Sequence, residues 1–377
     1  MKIVHIMSSI EIGGAYKFVK LIKKYMPEYE HFLIGRSGSL IDEASNVFGK
    51  EKVFLLSGNT VIDALKIRKA LSILSPDVIH LHGRGAGIYG RLFLPKEMHQ
   101  KVVYTIHGFN YETLSLLTRY IYFLAERGLK KKVFIYHFVS ESEKKLFLSK
   151  IGDCQRTVVI PNCIENIDGS TKRNELDVLD KYSLTHRIDL TRFFFAGRLS
   201  KQKGLDILLK ALKIVRNRIK LKVVLDIYGS GPEEIRLKRL AKELGLDDTV
   251  HFCGSKKFDD INHNLYAALI VPSRFEGMPF IVLEAGQKCI PLIVTPSRGT
   301  TDIILDENFA YISKEISEKR LADAILTFIN DLESRPINIV MRVANLYKRI
   351  ISNFDCKLTI NRLKWIYEKI STFKIVE

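Results

Sequence analysis

Long apolar runs and paired cysteine motifs are both absent from this sequence of 377 residues. No stretch approaches the roughly 18 apolar residues that a membrane-spanning helix needs, so we do not expect an integral membrane protein. The apolar run from Ile3 to Met7 is short, and the polar residues after it are typical of a first β-strand, not of a signal peptide. The five cysteines lie far apart with no C-x-x-C pair, which predicts unpaired thiols in a reducing cytoplasm.

Acidic residues are comparatively few. The chain has 59 Lys and Arg residues against 42 Asp and Glu residues, a net charge of +17. Such a field favours polyanionic partners, whether a diphosphate ligand, an anionic lipid surface or a nucleic acid. The basic residues are scattered without a tail or a low-complexity block, and no nucleic-acid-binding motif is recognisable. Charge alone therefore leaves the partner open.

Short apolar runs alternate with helix-like spacing in the first half of the chain. Continuous apolar runs of this length between helices are typical of parallel strands that are buried on both faces. The first half is therefore predicted to be a doubly wound α/β domain. The predicted elements are strands at Lys2–Met7, His31–Gly35, Asp77–His82 and Val102–Ile106, with a helix at Ala15–Tyr25.

A polar, turn-rich stretch from Glu165 to Glu175 separates this series from a second one of the same kind. We predict a first Rossmann-like domain over residues 1–167, a linker over 168–190 and a second Rossmann-like domain over 191–356. Ligands of such sheets bind beyond the carboxyl ends of the strands, so we expect the site in a cleft between the two domains.

The first chemical motif follows a predicted strand that ends at Gly197. Arg198 stands at the carboxyl end of this strand, and Lys203 lies just before an amphipathic helix. A guanidinium fork and an ammonium point charge suit phosphate oxygens. The motif therefore predicts a site for a leaving diphosphate, with an ordinary basic loop as the alternative.

The second motif runs from Val271 to Ala285. A helix is predicted over Phe280–Gln287. Pro279 suits the first turn of a helix, so the backbone of Gly277, Met278 and Phe280 is expected to form an anion site at the positive helix end. Glu284 could accept hydrogen bonds from a ribose, and Glu276 from hydroxyls of a transferred sugar. Two solvated carboxylates are the alternative.

These two motifs resemble those of the retaining glycosyltransferases of family 4, which have the GT-B fold. The resemblance covers nearly the whole chain. Further segments that carry it are Gly13-Gly14, Val103-Tyr-Thr-Ile-His-Gly108, Phe138-Val-Ser-Glu-Ser142, Val159-Ile-Pro-Asn162 and Tyr228-Gly229-Ser-Gly-Pro232.

The resemblance implies a role for each matching residue. Arg198 and Lys203, with the backbone of Gly277, Met278 and Phe280, would neutralise the donor diphosphate, and no metal or other cofactor would be needed. Glu284 would bind the ribose, Glu276 the donor sugar, and His107 would lie near the reacting sugar. Gly13 and Gly14 would admit the phosphate, and Tyr228 and Gly229 would lie beneath the donor base. A helix over about 357–377 would return to the first domain.

Three segments depart from the family pattern. Cys163 replaces a usual glycine after Pro161-Asn162, and Ser297 to Asp302 replaces a Gly-Gly pair. The loop with Arg84 and Arg91 is interpreted as acceptor-facing. His80 and His82 lie two apart on one side of a strand, but no third residue has the spacing of a zinc ligand, so no metal site is predicted.

The predicted function is the transfer of a hexose from a nucleotide-diphosphate sugar with retention of the anomeric configuration. UDP is the expected nucleotide, because such enzymes often use it. The acceptor is a saccharide or a lipid-linked saccharide, in lipopolysaccharide or capsule synthesis. The alternatives are another GT-B enzyme, such as a nucleotide-sugar epimerase, and a basic nucleic-acid-binding protein, whose binding would depend steeply on salt.

The predicted location is the cytoplasm, with peripheral binding to the inner face of the membrane. Apolar and aromatic residues between Leu116 and Tyr136 adjoin Lys130, Lys131 and Lys132. Such a cluster could dock on anionic lipid. The alternative is that the apolar face packs on the domain core and that the lysines are merely solvated.

Overall fold

The computed structural model describes residues 1–11, 13–165, 191–219 and 221–372. The chain divides into two compact units. Unit 1 comprises Met1–Glu165 with Cys356–Glu377, and unit 2 comprises Asn166–Asp355. The predicted linker over 168–190 lies outside the described residues.

Unit 1 is built on a parallel sheet of seven strands. Its order is β3-β2-β1-β4-β5-β6-β7, so the winding direction reverses between β1 and β4. This is the doubly wound topology that the buried apolar runs predict. The strands are β1 (Lys2–Ser9), β2 (Glu30–Arg36), β3 (Val53–Leu56), β4 (Val78–His82), β5 (Val102–Ile106), β6 (Ile135–Phe138) and β7 (Thr157–Val159).

Six helices connect these strands. Side-chain caps begin α3, α5 and α6, where Asn59, Ser115 and Ser140 accept hydrogen bonds from backbone N–H groups. The helices are α1 (Gly14–Tyr25), α2 (Ile41–Phe48), α3 (Thr60–Leu74), α4 (Gly83–Leu92), α5 (Leu116–Gly128) and α6 (Glu141–Ile151).

Helix α4 lies close to the sheet because of a Gly-x-Gly-x-x-Gly run. A Cβ atom at Gly87 would overlap the buried ring of Tyr104, and one at Gly90 would come within 2.7 Å of the Leu81 side chain. The motif that elsewhere admits a dinucleotide therefore serves helix–sheet packing here.

Unit 2 contains a second parallel sheet, of six strands. Its order is β10-β9-β8-β11-β12-β13, so its winding reverses between β8 and β11. The strands are β8 (Arg192–Ala196), β9 (Val224–Tyr228), β10 (Val250–Phe252), β11 (Ala268–Val271), β12 (Leu292–Val294) and β13 (Tyr311–Ile312). The helices are α7 (Leu205–Arg218), α8 (Glu234–Glu243), α9 (Phe280–Gln287), α10 (Thr300–Ile303), α11 (Glu318–Ser334) and α12 (Pro336–Asn353).

The last helix, α13 (Cys356–Thr372), belongs to unit 1 although it follows unit 2 in the chain. It packs against α1 and β4, and Tyr367 is completely buried there. Lys364 forms an ion pair with Glu28, at 2.5 Å between Nζ and Oε1. The predicted return of the C-terminal helix to the first domain is confirmed.

The cysteine prediction is wrong for two of the five residues. Cys163, just after β7, and Cys356, the first residue of α13, form a disulfide with their Cα atoms 4.9 Å apart. The backbone N–H of Cys356 also donates to the carbonyl of Ile164 at 3.0 Å. A separation of 193 residues hides this pair from the sequence. Cys163 is not among the residues with positive φ, so its replacement of glycine causes no backbone strain.

None of the helices in the described ranges combines the length and the apolar character that spanning a membrane requires.

Candidate functional site

In unit 2 the loops after β8 and β11 meet at the point where the sheet winding reverses. Lys203 Nζ lies 2.6 Å from Glu276 Oε1, and Ser273 Oγ donates to the same oxygen at 2.7 Å. Gln202 Nε2 lies 3.3 Å from the other oxygen. The Glu276 carboxylate is buried, and these three donors hold it in place. The two motifs thus form one site, and Ser273 and Gln202 are members that sequence reasoning missed.

Further contacts lock these two loops together. The guanidinium of Arg274 donates to both carboxylate oxygens of Asp206 in α7, each at 2.8 Å. The backbone N–H of Arg274 donates to the carbonyl of Gln202 at 2.8 Å. Gly204 has φ 67° and lies against Pro272, so a side chain there would clash with the carbonyl of Pro272. The two loops are therefore held in position by a bidentate ion pair and by a glycine whose replacement would strain the backbone.

Helix α9 starts next to this carboxylate. It begins at Phe280 as predicted, but Pro279 is the residue before the helix and does not lie in its first turn. The eight residues of α9 direct the positive end of the helix dipole toward the loop of Gly277 and Met278. Glu284 lies one turn inside α9 and is half-buried. An anion at this helix start would be stabilised by the dipole, and Glu284 would accept hydrogen bonds.

Arg198, Tyr228 and Gly229 surround the same edge of the sheet. Arg198 is exposed directly after Gly197, at the end of β8. The hydroxyl of Tyr228 lies 2.7 Å from that of Tyr266, and this contact fixes the position of the Tyr228 ring. Gly229 has φ 151° and lies against the carbonyl of Gly197, where a Cβ would clash.

In unit 1 four of the predicted residues lie in the segments that follow the carboxyl ends of strands. Gly13 and Gly14 form the start of α1, and a Cβ atom on Gly13 would meet nothing within 4 Å. His107 follows β5, and burial lowers its pKa to about 3. Arg84, in α4, donates to the carbonyl of Asn110 at 3.1 Å and lies over the ring of Tyr122.

The prediction for Arg91 as an acceptor-side residue is wrong. Its guanidinium is completely buried and pairs with Glu126 at 2.7 Å. It also donates to the hydroxyl of Tyr136 at 3.1 Å. Burial lowers the pKa of Arg91, but Glu126, Tyr136 and Tyr104 together raise it above its usual value. Arg91 is therefore a structural cation in the core. The sequence did not reveal this role, because its partner Glu126 lies 35 residues away on α5.

His80 and His82 do have a third histidine beside them. His5 lies on the neighbouring strand β1, and one ring nitrogen from each of His5, His80 and His82 lies within 4.8 Å of the other two. All three rings are completely or almost completely buried, and burial lowers the pKa of each well below its usual range. Sequence spacing missed His5 because the order of the strands, not the order of the chain, makes it a neighbour.

Two family profiles match the sequence. Residues 182–338 match the glycosyl transferases group 1, and residues 29–166 match glycosyltransferase family 4. A UDP-Gal:alpha-D-GlcNAc-diphosphoundecaprenol alpha-1,3-galactosyltransferase of Escherichia coli is 23% identical over 313 residues, covering 80% of this chain and 78% of that protein. The O-antigen biosynthesis glycosyltransferase WbnH of Escherichia coli is 23% identical over 356 residues, covering 92% and 98%.

The fold also matches solved structures. Anabaena HepE in complex with UDP-glucose aligns with a TM-score of 0.79 at 16% identity, over 98% of this chain and 100% of that chain. Together the two profiles span most of both units, and they match the segments that carry the Lys203–Glu276 pair and His107. The chain therefore belongs to glycosyltransferase family 4 and has the GT-B fold.

Proposed function

We propose that this enzyme transfers a hexose from a UDP-sugar to a saccharide or lipid-linked saccharide acceptor in cell-surface polysaccharide synthesis. The transfer retains the anomeric configuration and uses no metal ion. The observation that carries the proposal is the Lys203–Glu276 ion pair, which stands beside the start of α9 at the winding reversal of the unit 2 sheet.

Fixed positive charge is what the reaction needs on the donor side. Breaking the bond to the anomeric carbon develops negative charge on the departing diphosphate. Arg198 and Lys203 follow the same strand, and the dipole of α9 adds a third source of positive potential. These groups would stabilise the leaving diphosphate from fixed positions, so no reorganisation of solvent is needed as its negative charge develops.

Glu276 has the form of a sugar-binding carboxylate. Its Oε1 accepts from Lys203 and Ser273, whereas among the described residues Oε2 accepts only the 3.3 Å contact from Gln202. Oε2 therefore keeps capacity for a sugar hydroxyl. A carboxylate held by three protein donors is a weak nucleophile, which supports front-face attack by the acceptor within an ion pair.

The proposed acceptor class comes from the relatives. The galactosyltransferase of Escherichia coli is named for a diphosphoundecaprenol-linked GlcNAc acceptor, and WbnH is named for O-antigen biosynthesis. The first name supports a lipid-linked saccharide as acceptor for this chain, and the second supports a role in cell-surface polysaccharide synthesis.

A nucleotide-sugar panel tests the proposed function. A ligand at about a hundred times its Kd adds roughly 2.7 kcal/mol of stability, so the right donor should raise the Tm clearly above the buffer control. We expect a UDP-sugar to give the largest shift, and UDP to be released only when acceptor is added. Isomerisation of the UDP-sugar without acceptor would instead identify an epimerase.

Substitutions of the two carboxylates of the site should change different kinetic constants. We expect Glu284→Ala to raise the donor KM about tenfold with little change in kcat, because a hydrogen bond to a charged group contributes about 1.5–3 kcal/mol and the ribose is bound alike before and during reaction. Glu276→Ala should mainly lower kcat, because the sugar changes in the transition state. Initial rates over a range of donor concentrations measure both constants. Glu243→Ala on exposed α8 is the control, and unchanged kcat in Glu276→Ala would refute its role.

Helix α5 supports peripheral membrane binding. Leu116, Leu117, Tyr120, Ile121 and Leu124 lie on one face of α5 and are all between 48% and 80% exposed. The alternative that this face packs on the domain core is therefore wrong. Lys131 is exposed nearby, and Lys130 is half-buried. We propose that this surface, here named the α5 patch, docks on an anionic bilayer.

Lys132 does not belong to the α5 patch. Its ammonium donates to the carbonyls of Arg91 and Leu92, at 3.0 and 3.1 Å, and burial lowers its pKa. Lys132 therefore fastens the end of α4, and a charge variant designed to test docking should leave it in place.

Vesicle sedimentation tests the α5 patch. We expect binding to phosphatidylglycerol vesicles that weakens with salt, and a loss of about tenfold or more in Lys130→Gln/Lys131→Gln, since each lysine near an anionic surface contributes about 1 kcal/mol. Leu117→Gln/Ile121→Gln should weaken binding at every salt concentration. Ile235→Gln, which changes a residue 85% exposed on α8, is the matched control. Binding unaffected by salt and by both double changes would remove the proposed dock.

A further inference from the structure

A row of four histidines crosses one face of the unit 1 sheet. His31 lies on β2, His5 on β1, His82 at the end of β4 and His107 directly after β5, so the row follows the spatial order of the strands. Consecutive rings are joined nitrogen to nitrogen, each pair at 3.1 Å. The pairs are His31 Nδ1 with His5 Nε2, His5 Nδ1 with His82 Nε2, and His82 Nδ1 with His107 Nε2. This row is termed the histidine relay.

The backbone carbonyl of Met26 sets the direction of the relay. A carbonyl oxygen only accepts, so His31 Nε2, which lies 2.9 Å from this oxygen, carries a proton. All four rings are neutral near pH 7, because burial lowers each pKa, to about 4 for His31 and about 3 for His107. A neutral imidazole has one donor and one acceptor nitrogen. Each Nε2 in the relay therefore donates and each Nδ1 accepts.

The relay ends at a nitrogen that lacks a partner. His107 Nδ1 is buried and has no hydrogen-bond partner among the described residues. The ring of Phe18 packs edge-on against His107, with the ring centres 5.5 Å apart. Buried polar atoms are nearly always hydrogen-bonded, so this nitrogen is available to accept a hydrogen bond from a ligand or from water.

We infer that the relay fixes His107 in the single tautomer whose Nδ1 is a hydrogen-bond acceptor, with His31, His5 and His82 as positioning residues. The inference rests on the proposed function. A bare lone pair on Nδ1 accepts a hydroxyl proton and repels a phosphate oxygen. His107 is thereby assigned to the sugar and excluded as a ligand of the diphosphate.

A second hydrogen-bonded chain accounts for His80. His137 Nε2 donates to the carbonyl of Ile160 at 2.8 Å, and Thr105 links His137 Nδ1 to His80 Nε2. The hydroxyl of Tyr367, from α13, contacts His80 Nδ1. Both ring nitrogens of each member of the three-histidine group are thus engaged in hydrogen bonds, which favours a relay over a metal centre at this position.

The direction of the relay depends on its distant end. Without an acceptor at position 31, His5 Nε2–H loses its hydrogen-bond partner. The reversed chain, in which each Nδ1 donates and each Nε2 accepts, then becomes equally favourable in free energy. In the reversed chain His107 would carry its proton on Nδ1 and present a donor. A change at His31, three rings away, should therefore alter the tautomer of His107 without touching it.

Nitrogen-15 NMR of histidine-labelled protein reads these tautomers directly. In the wild type we expect His107 to be the single Nε2–H tautomer, assigned with His107→Gln. His31→Phe keeps the ring stack on His5 but removes the acceptor, and we expect His107 to show both tautomers. His31→Asn, whose amide oxygen replaces Nδ1 as acceptor, should restore the single form. His99, which bonds to the carbonyl of Leu94 outside the relay, should be unchanged in all variants.

Donor analogues test the hydroxyl. We expect one deoxy UDP-sugar to bind about fivefold more weakly than the parent, as for loss of one neutral hydrogen bond, and the loss to vanish in His107→Phe. The corresponding deoxyfluoro analogue should bind as weakly, because fluorine cannot donate. An Nδ1–H tautomer in the wild type, or a fluoro analogue that binds like the parent, would overturn the inference while UDP binding persists. Failure of every UDP-sugar to bind, with the expected tautomers, would overturn the proposed function instead.

Discussion

Replacing Arg198 with alanine is expected to lower kcat about a hundredfold or more while the protein folds as the wild type does. The loss of one fixed electrostatic donor at a developing charge costs about 2.7–4 kcal/mol of transition-state stabilisation. The side chain is exposed at the end of β8, so its removal should leave the free energy of unfolding nearly unchanged. Turnover of saturating donor, together with urea unfolding, measures both effects. Lys201→Ala, an exposed lysine of the same loop, is the control and should keep full activity.

Lys203→Ala should lose a similar factor in kcat but should also lose stability. Lys203 is the cation of a buried carboxylate, since Glu276 is only 6% exposed. Removing one partner of a buried pair costs about 3–5 kcal/mol, which we treat as an upper bound because Lys203 is partly exposed. The double variant Lys203→Ala/Glu276→Gln should recover most of the stability and none of the activity. Recovered activity in the double variant would mean that Lys203 serves the fold alone.

Acid should unfold unit 1 well before it unfolds unit 2. Six histidines of unit 1, five of them buried and His107 half-buried, have lowered pKa values in the native state, mainly through desolvation. The pKa values of His31 and His137 fall to about 4 and that of His107 to about 3. Unfolded histidines have a pKa of about 6.5. Below that pH the unfolded chain binds protons that the native state does not, so stability falls as the pH drops from about 6.5 to about 4. The other three are His5, His80 and His82.

The expected size of this effect is large. Each such histidine lowers the free energy of unfolding by about 1.4 kcal/mol per pH unit, so six together lower it by roughly 8 kcal/mol per unit. Domains have about 5–15 kcal/mol of stability in total, so unit 1 should open near pH 5. Hydrogen exchange of β1 and β4 amides, compared with β8 and β11 amides, separates the two units. His31→Asn should make the dependence shallower, and equal protection of both units at pH 7.5 and 5.5 would contradict the expectation.

Local signals in the sequence were sufficient for several of the strands, for helix α9 and for the donor-side motifs. Helix α9 begins at Phe280 and ends at Gln287 as predicted, because Pro279 and the glycine before it specify its start locally. The segments with Lys203 and Glu276 are separated by 73 residues, yet their meeting was predictable, since both follow buried strands of one parallel sheet. Functional residues that directly follow buried strands can therefore be predicted from the sequence in such a fold.

Features that depend on distant neighbours could not be read in the same way. Arg91 was predicted as a ligand residue because nothing in its own helix reveals Glu126. The disulfide joins residues on either side of the whole of unit 2. The histidine relay arises because strand order places β2, β1, β4 and β5 side by side. A lone histidine on an apolar strand gives no sign of such a partner.

Transfer itself is the most direct test of the central claim, that the Arg198, Lys203 and Glu276 site drives sugar transfer from a UDP donor. The enzyme is incubated with the UDP-sugar selected by thermal shift and with a polyprenyl-diphosphate-linked saccharide, while UDP release and the anomeric proton of the product are followed by NMR. The account predicts one UDP per sugar transferred, a product with the anomeric configuration of the donor, and about a hundredfold slower release in Arg198→Ala. Release of UDP at the same rate in Arg198→Ala, or no transfer from any nucleotide-sugar that binds, would contradict it.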